Sequence, residues 1–407
     1  MNRSMKGWHE NMTEQKAWQA AFDVIASLED NGYEAVIVGG AVRDSLRGHM
    51  ANDVDVATNA VPEEVKRVFT HTADVGIQHG TVLVIHPMSP VEVTTYRTEG
   101  TYQDHRRPDQ VQFVSSLVED LKRRDFTINA MAMSGDRKII DLFGGQEDLK
   151  NGVIRAVGEP IERFKEDALR MLRAIRFSAQ LGFQIDDATF QAISRQAQDI
   201  GFIAVERIKA EFDKIFTSEH PENAMYNIQQ SGLAPFLPGE YRHQASYWNH
   251  FKASEDARKG WAYFCLLQQP QDSQMMHAFK CSNNEKKQVD EIIKAYQSLI
   301  STGWTKKDYF TFDIEILKTA YEFANNFGKT IVQPKSLIEI DKIKSSLALQ
   351  KRSDLVITGH DLIEWSGRKS GPWLKELLDQ ILTEILENRL KNERQQIKEW
   401  LLNERTH

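Results

Sequence analysis

Apolar residues recur at two different spacings along the chain, and the change between them divides it. Short apolar or alternating runs at 35–38, 80–85, 91–96 and 111–114 predict strands. A helical spacing precedes them at 14–31, and Pro62 followed by two acids marks a further helix start. From Asn151 onward the strand signals fade and helical spacing dominates. The pattern predicts a mixed α and β N-terminal domain followed by helical domains.

The most informative helix is predicted over residues 161–181, between Pro160 and Gly182. Its apolar stripe, which should face the core, consists of Ala168, Met171, Leu172, Ile175 and Ala179. Its opposite face is charged and carries, at steps of three, Asp167, Arg170, Arg173 and Arg176. An ion-paired surface helix is one explanation of this charge, and a binding face is the other.

Length and composition set limits on both interpretations. The 407 residues are enough for two to four domains, and no run is apolar and long enough to span a membrane. The start lacks the apolar core of a secretion signal. Cys265 and Cys281 have no third ligand nearby, which favours buried thiols in a reducing cytoplasm over a zinc site or a disulfide. The formal net charge of −7 means that nucleic-acid binding would need a local basic groove.

A glycine pair follows the strand predicted at 35–38. Gly39 and Gly40 allow a tight turn and a close approach of the backbone to a ligand, and residues 41–47 then have a helical pattern. Free N–H groups at the start of a helix, beside the positive end of its dipole, favour phosphate. The segment therefore predicts a phosphate cradle.

Two carboxylates follow the cradle. Asp53 and Asp55 alternate with Val54 and Val56, so in a strand both carboxylates lie on one face. Paired carboxylates repel unless a divalent cation lies between them, and hard oxygen ligands suit Mg²⁺. Together with the cradle, the pair predicts metal-assisted nucleotidyl transfer.

A third carboxylate, Glu92, has two interpretations. Glu92 lies between two valines, as Asp55 does, and it is either a further metal-site carboxylate or a solvent-facing strand residue. Residues 97–108 form a long polar segment without periodicity, which is usually functional or disordered. Three consecutive bases, Lys122, Arg123 and Arg124, either hold a triphosphate beside a helix start or form a solvated face. Residues 141–145 predict a turn and a hinge.

The charged face of the 161–181 helix has the chemistry of a base reader. A carboxylate such as Asp167 accepts from an exocyclic amino group, and an arginine such as Arg170 donates to ring nitrogens and carbonyls. Cytosine and adenine present that amino group, whereas uracil and guanine present a carbonyl in its place. The pair is therefore expected to admit CTP and ATP and to reject UTP and GTP.

These segments together resemble a known family. Five ordered motifs carry the resemblance, at residues 39–44 with 53–55, 123–132, 141–145, 166–177 and 206–208. The chain is similar to the class II tRNA nucleotidyltransferases, the CCA-adding enzymes of Gram-positive type in the DNA polymerase beta superfamily. The resemblance implies template-independent addition of C, C and A to the 3′ end of tRNA from CTP and ATP, with Mg²⁺.

The family's functional residues map onto positions of this chain. Asp53 and Asp55 match the metal ligands, and Glu92 corresponds to the third carboxylate. The positions that match nucleotide contacts are Gly40, Arg43 and Arg124. The positions that match the base-pairing template and its neighbours are Asp167, Arg170, Arg173 and Arg176. Residues 97–108 match the flexible loop needed for the switch from C to A addition.

The resemblance also implies an α+β architecture. A polymerase-beta-type head with a mixed sheet, residues 1–150, would be followed by all-α neck, body and tail at 151–216, 217–300 and 301–407. In the C-terminal half, the aromatic residues Trp248, Trp261 and Tyr263 are predicted to be core, and Asp361 to start a helix. A basic helix around Arg389, Lys391 and Arg394 resembles the family's tail, where contacts to tRNA would be phosphate-directed.

Three alternatives stay open from the sequence. Bacterial poly(A) polymerases share the head and neck motifs but usually carry Gly-Arg-Arg-Phe where this chain has Gly-Ile-Gln-His-Gly-Thr-Val at 76–82, which favours tRNA maturation. An enzyme that adds only CC or only A is the nearer rival; the intact 97–108 segment speaks against the CC-only form, and the A-only form stays open. A catalytically dead tRNA-binding protein is the third, disfavoured by the retention of Asp53, Asp55, Asp167 and Arg170.

Overall fold

The structure, a computed structural model, describes residues 3–49, 51, 53–76, 80–99, 111–241, 244–268 and 272–403. Side chains are described from residue 12 onward within these ranges, except at 99, 111 and 112. The chain forms two compact units that meet in sequence between Glu255 and Asp256. No helix in the described ranges is both long and apolar enough to cross a membrane.

A seven-stranded sheet organises the N-terminal unit, with β6 and β7 forming a separate hairpin pair and β10 and β11 a short parallel pair. The strands are β1 (Ala35–Val38), β2 (Val56–Thr58), β3 (Thr72–Gly76), β4 (Thr81–Val84), β5 (Val91–Thr95), β6 (Arg97–Glu99), β7 (Val111–Phe113), β8 (Met131–Met133), β9 (Ile139–Asp141), β10 (Val153–Ile154) and β11 (Gln184–Ile185). The order in the large sheet is β3-β4-β5-β2-β1-β8-β9. Its only parallel neighbours in the described sheet are β2 and β5. The strands predicted at 35–38, 80–85, 91–96 and 111–114 are confirmed within a residue or two.

Helices of the N-terminal unit cover the sheet and then continue beyond it. They are α1 (Arg3–Asp30), α2 (Gly40–Leu46), α3 (Pro62–Val68), α4 (Leu117–Lys122), α5 (Gly145–Asn151), α6 (Pro160–Glu166), α7 (Leu169–Leu181), α8 (Asp187–Gln196), α9 (Val205–Phe216) and α10 (Pro221–Gln230). On one face of the sheet, Ile25 of α1 packs in a buried cluster with Ile37, Val56 and Val93. On the other face, the side chains of Val36, Val38, Tyr96 and Leu121 form a second cluster. Since both faces are covered, the central strands read as continuous apolar runs.

The helix predicted over 161–181 is two helices, and this part of the prediction is wrong. The break falls at Asp167, whose backbone is extended (φ −143°, ψ 104°) and whose carboxylate accepts the N–H of Leu169 at 3.1 Å. An aspartate that satisfies free N–H groups in this way starts a helix, so α7 begins anew after it. The predicted apolar stripe is confirmed, because all five of its residues are fully buried.

The C-terminal unit is helical throughout its described residues. Its helices are α11 (Ala257–Leu267), α12 (Gln274–Ala278), α13 (Asn283–Ser301), α14 (Lys306–Thr311), α15 (Ile314–Asn326), α16 (Leu337–Ser345), α17 (Gly359–Ser366), α18 (Trp373–Leu386) and α19 (Arg394–Asn403). Trp261 and Tyr263 are buried here, as Trp248 is in the first unit, so all three predicted core aromatics are confirmed. Both cysteines are buried free thiols.

Two predictions about the last helices have different outcomes. Asp361 lies in the first turn of α17 and accepts the backbone N–H of Thr358 at 2.7 Å, so its structural role is confirmed. The predicted basic helix is wrong in its extent. Of the three predicted basic residues, only Arg394 lies in α19, as its first residue, and Arg389 and Lys391 precede the helix. Arg389 pairs with Glu384. The α+β class, with an N-terminal mixed sheet and helical regions after it, is confirmed.

Candidate active site

The turn between β1 and α2 lets a side chain approach the backbone closely. Gly39 has a φ of 76°, a conformation that other residues rarely adopt. A Cβ on Gly39 would lie 3.0 Å from Nη1 of Arg124, and one on Gly40 would lie 3.6 Å from Nη2 of Arg43. Both predicted phosphate-binding arginines therefore meet at this turn.

The two aspartates lie just before β2, and not within it as the alternation predicted. Their alternation is retained, because Asp53 and Asp55 are exposed while Val54 and Val56 are buried. The carbonyl of Asp55 accepts the N–H of Val38 at 3.1 Å, which continues the pairing with β1 past the end of the strand. The two carboxylates thus share one face.

Glu92 lies on that same face. In the parallel pair β2–β5, Val56 is opposite Val93, which places Asp55 next to Glu92 in register. Both valines point into the core shared with α1, so the two acids point away from it. Of the two interpretations of Glu92, the one that places it beside the paired aspartates fits this register.

Electrostatics support the same grouping. The pKa of Asp55 is raised to about 6, first because neighbouring protein removes part of its hydration and then because Asp53 and Glu92 repel its negative charge. Arg124 opposes the rise, which places its positive charge near these carboxylates. Within the described ranges, no group of three or more His, Cys, Asp or Glu side chains is placed so that it could hold a metal ion. The carboxylates of Asp53 and Asp55 are nevertheless the hard oxygen donors that a divalent cation prefers, and its charge would relieve their repulsion.

The arginines at 123 and 124 are organised by a buried acid. Asp120 is 1% exposed, and its two oxygens accept from Arg123 at 2.7 Å and from Arg124 at 3.2 Å. Burial raises the pKa of Asp120, but the two arginines outweigh this and the net pKa is lowered. The bases lie at the end of α4, and not beside a helix start, and Arg123 and Arg124 are not part of a freely solvated face. Asp120 keeps Arg124 oriented toward Gly39.

A chain of hydrogen bonds joins α2 to α7. Arg43 donates to Asn129 at 2.7 Å, and Asn129 donates to the carboxylate of Asp125 at 3.1 Å. The other oxygen of Asp125 accepts twice from Arg173, at 2.8 and 2.6 Å. Burial raises the pKa of Asp125, but Arg173 and Asn129 outweigh it and lower the pKa to about 2. One hydrogen-bond network therefore connects α2, which carries the predicted phosphate contact Arg43, to α7, which carries Arg173.

The predicted base-reading residues are each held by another charged residue. Arg207 of α9 grips the Asp167 carboxylate with two bonds, of 2.7 and 3.3 Å. Arg170 donates to Glu166 at 2.6 Å and to the carbonyl of Arg123 at 3.0 Å. Asp167 thus lies at the α6–α7 break, and Arg170 lies in the first turn of the helix after it.

Arg173 and Arg176 are both held by ion pairs to acidic residues of the protein. Arg173 binds Asp125, as above, and Arg176 is 5% exposed and pairs with Glu211 of α9. The Arg176 guanidinium also stacks 3.9 Å from the centroid of the Phe177 ring. These contacts favour support of the site over direct contact of Arg176 with a nucleotide.

Sequence reasoning gave no role to five residues that organise the site: Asp120, Asp125, Asn129, Glu166 and Arg207. The signal available was a polar residue inside an otherwise apolar motif, as in residues 125–132. Of the 97–108 loop, residues 97–99 form β6, which pairs with β7, and residues 100–108 lie outside the described chain. Residues 77–79 of the segment that differs from poly(A) polymerases also lie outside it. Asp141, at the predicted hinge, accepts from the N–H groups of Gly145 and Gln146 at 2.9 and 2.8 Å.

Three family matches cover most of the chain. Residues 35–155 match the poly A polymerase head domain, which contains the sheet and the paired aspartates. Residues 182–240 match the RNA and SrmB-binding site of polymerase A, and residues 252–401 match tRNA nucleotidyltransferase domain 2.

Curated relatives and solved structures match over nearly the full length. The chain is 39% identical over 397 residues to a CCA-adding enzyme of Geobacillus stearothermophilus, covering 95% of this chain and 96% of that one. One of Bacillus cytotoxicus is 38% identical over 397 residues, covering 95% and 98%. The crystal structure of the Bacillus stearothermophilus CCA-adding enzyme in complex with CTP superposes with a TM-score of 0.85 at 35% identity, covering 96% and 98%. The Thermotoga maritima CCA-adding enzyme complexed with tRNA shares the fold, with a TM-score of 0.60 at 20% identity. This chain belongs to the CCA-adding enzymes, the tRNA nucleotidyltransferases.

Proposed function

We propose that this chain adds C, C and A to the 3′ end of tRNA, using CTP and ATP and releasing pyrophosphate. The observation that carries the proposal is that Asp53, Asp55 and Glu92 lie on one sheet face with Arg124 beside them. This group occurs in a chain that matches relatives named CCA-adding enzyme over 95% of its length. These relatives favour full CCA addition over A-only addition and over poly(A) synthesis.

Mg²⁺ is the proposed cofactor, held by Asp53 and Asp55 with Glu92 adjacent. When bound, it would lower the pKa of the terminal 3′-OH and stabilise the departing pyrophosphate. The raised pKa of Asp55 supports this assignment, because part of the rise, after the loss of hydration, comes from repulsion by Asp53 and Glu92.

The protein's own residues would position the two substrates. We assign the triphosphate to the Gly39–Gly40 turn with Arg43 and Arg124, since both guanidinium groups lie against that turn. The 3′ oxygen of the tRNA forms a bond to the α-phosphorus as the bond to the pyrophosphate oxygen breaks. Alignment of these atoms is the main contribution that such a site can make.

Asp167 and Arg170 would read the base. Asp167 accepts bonds from Leu169 and Arg207, and a carboxylate has enough lone pairs to accept an exocyclic amino group in addition. Arg173 and Arg176, matched by the family motif to the same pocket, would act by holding α7 against Asp125 and Glu211.

We also propose a division into a head at 1–150, a neck at 151–216, a body at 217–300 and a tail at 301–407, and a cytoplasmic location. The end of the seven-stranded sheet at β9 supports the first boundary, whereas the boundary between the two compact units, between Glu255 and Asp256, falls inside the proposed body. Tail and body would hold the tRNA, in line with the match of 252–401 to a tRNA nucleotidyltransferase domain. A reducing cytoplasm agrees with the two buried free thiols.

Extension of a labelled tRNA that ends at its discriminator base tests the function directly. With Mg²⁺, CTP and ATP, we expect three added nucleotides and then a stop. A single A added only to tRNA that already ends in CC would identify an A-only enzyme. A long ladder with ATP alone would identify a poly(A) polymerase.

Substitution of a proposed metal ligand separates catalysis from binding. Asp53→Ala should lower extension by more than about 100-fold, since loss of even indirect metal partners costs up to that much. Filter binding of tRNA should be unchanged, because the carboxylate makes no phosphate contact. The exposed Asp74, changed to Asn, is the control. Full extension by Asp53→Ala would rule out the proposed metal site.

A further inference from the structure

A groove of about 480 Å³ lies in the N-terminal unit outside the proposed active site. Its lining comes from the end of α2, from α5 and from the residue after the α7 C-cap, and consists of Leu46, Arg47, Gln146, Leu149, Lys150 and Phe183. Its volume is in the range of small-ligand sites. None of the residues of the proposed phosphate cradle, Gly39, Gly40, Arg43 and Arg124, lines this groove.

The groove carries two positive charges that the protein hardly neutralises. The nearest carboxylate to Arg47 is Asp44 at 4.0 Å, and Asp44 is already bound by Arg43 through two bonds of 2.9 and 2.8 Å. Lys150 is exposed and has no carboxylate within ion-pair distance in the described part of the chain. Two such cations in one concave site attract an anion with several acceptor oxygens, such as phosphate.

The groove also offers a surface for an aromatic ring. Phe183 is half-buried, with its ring against Gly152, and the guanidinium carbon of Arg47 lies 5.7 Å from the ring centroid. Leu46 is 39% exposed beside it. Any of the nucleic-acid bases can stack on such aromatic and guanidinium surfaces.

One neutral polar group completes the lining. The Gln146 side-chain amide is exposed and makes no hydrogen bond within the described residues, while its backbone N–H is taken by Asp141. An amide presents donors and an acceptor together and can bond to the edge of a base.

We propose that this groove is a second, non-catalytic nucleotide site that takes a base against Phe183 and its phosphate between Arg47 and Lys150. The chemistry shared by possible occupants is a phosphorylated nucleoside. It can be a free mononucleotide or an unpaired nucleotide of a single-stranded RNA, and binding at this site does not require the transfer reaction.

Photo-crosslinking to the full-length chain tests the proposal, with attachment sites mapped by peptide mass spectrometry. One arm uses 8-azido-AMP, and the other uses a 5′-phosphorylated pentanucleotide that contains 4-thiouridine. We expect label in peptides that contain residues 146–150 or 183, in addition to any label at the proposed active site. Label from the first probe alone identifies a free nucleotide as the occupant, and label from the second alone identifies RNA.

Charge removal provides the discriminating variant. Arg47→Gln with Lys150→Gln should reduce groove label at least about fivefold and leave label at the proposed active site unchanged. The control, Arg67→Gln with Lys138→Gln, removes two charges that are 73% and 81% exposed elsewhere in the unit and should change neither. Phe183→Leu, which retains both charges, should reduce label from the azido probe. The proposal is overturned if the unsubstituted chain shows no groove label, or if the label persists in the Arg47/Lys150 variant. Neither result depends on whether the chain adds CCA.

Discussion

At the scale of single residues, the charged side chains proposed to read the base are held by partners of opposite charge. Asp167 is held by Arg207, Arg170 by Glu166, Arg173 by Asp125 and Arg176 by Glu211. A charge taken out of water needs such a partner, because an unpaired one is costly. The same pairs fix each side chain in one orientation before a nucleotide arrives, which is how a site discriminates by hydrogen bonding.

Arg207 should therefore determine specificity without touching the base. Removing the two bonds in Arg207→Ala frees the Asp167 carboxylate to turn, and bonds of this charged kind are worth about 1.5–3 kcal/mol. We expect the preference for CTP over UTP, measured as the ratio of kcat/KM values, to fall about tenfold or more. Arg207→Lys keeps the positive charge but cannot make two parallel hydrogen bonds to the Asp167 carboxylate. It should therefore restore only part of the preference for CTP over UTP.

The control for that experiment is Arg195→Ala, at an exposed position of α8. An unchanged CTP to UTP ratio in Arg207→Ala, with only a lower melting temperature, would assign Arg207 a structural role instead.

Asp125 should give the fold a defined dependence on pH. Its folded pKa of about 2 is below the usual 3.8, so the carboxylate stabilises the fold above about pH 4, and this contribution is lost as the pH falls toward 2. The difference corresponds to about 2 kcal/mol. Urea unfolding should show Asp125→Asn less stable by about that amount near pH 7, with the gap to the unsubstituted protein closing below about pH 4. A gap that stays constant with pH would contradict this assignment, and Asp74→Asn serves as the charge-matched control.

At the scale of elements, the break between α6 and α7 lies between the two residues proposed to read the base, Asp167 and Arg170. The backbone of Asp167 is extended at the break, whereas Arg170 lies in the first turn of α7. One continuous helix would fix their spacing rigidly, but a break allows the two to change their relation through small backbone rotations. Such freedom suits a site that must accept C twice and then A.

The 97–108 segment is the element proposed to drive that change. Shortening it within residues 100–108 leaves the described β6–β7 pair in place. We expect the shortened protein to add C and C normally and to fail at A, because only the last step requires the pocket to be reset. The measurement is extension with CTP alone and then with both nucleotides, resolved to single additions. Equal loss of C and A addition would disprove the proposed role.

At the scale of the whole molecule, the charge balance opposes the proposed substrate. The chain carries a net charge of −7, and tRNA is a polyanion, so attraction must come from local cations and not from the protein as a whole. The repulsion between the negatively charged protein and tRNA increases as the salt concentration falls. The attraction between local cations and tRNA phosphates increases more steeply, so it dominates.

The affinity for tRNA should therefore fall with added salt in spite of the negative charge of the protein. Filter binding between about 50 and about 200 mM KCl should show a loss of about tenfold or more, linear on a logarithmic plot. The affinity for CTP alone, measured in parallel, should change less because it involves fewer phosphates. An affinity for tRNA that is insensitive to salt would mean that non-ionic contacts dominate.

Local sequence was enough to predict the strands, the glycine turn and the residues proposed for the active site. The alternation of Asp53 and Asp55 with valines, and the glycines before α2, depend only on neighbours in the chain, so their pattern was sufficient. The buried stripe of α7 was predictable for the same reason. The break at Asp167 was not, because an aspartate within an amphipathic pattern is compatible with either a continuous helix or a new helix start.

Only the tertiary structure decided which charges meet. Arg207 lies 40 residues from Asp167, Arg173 lies 48 from Asp125, and Arg43 lies 86 from Asn129. No local pattern encodes such pairs, because each results from the packing of separate elements around a common core. The sequence by itself determined the chemistry available to this protein, and the fold determined which of those groups stand free for a substrate and which hold one another in place.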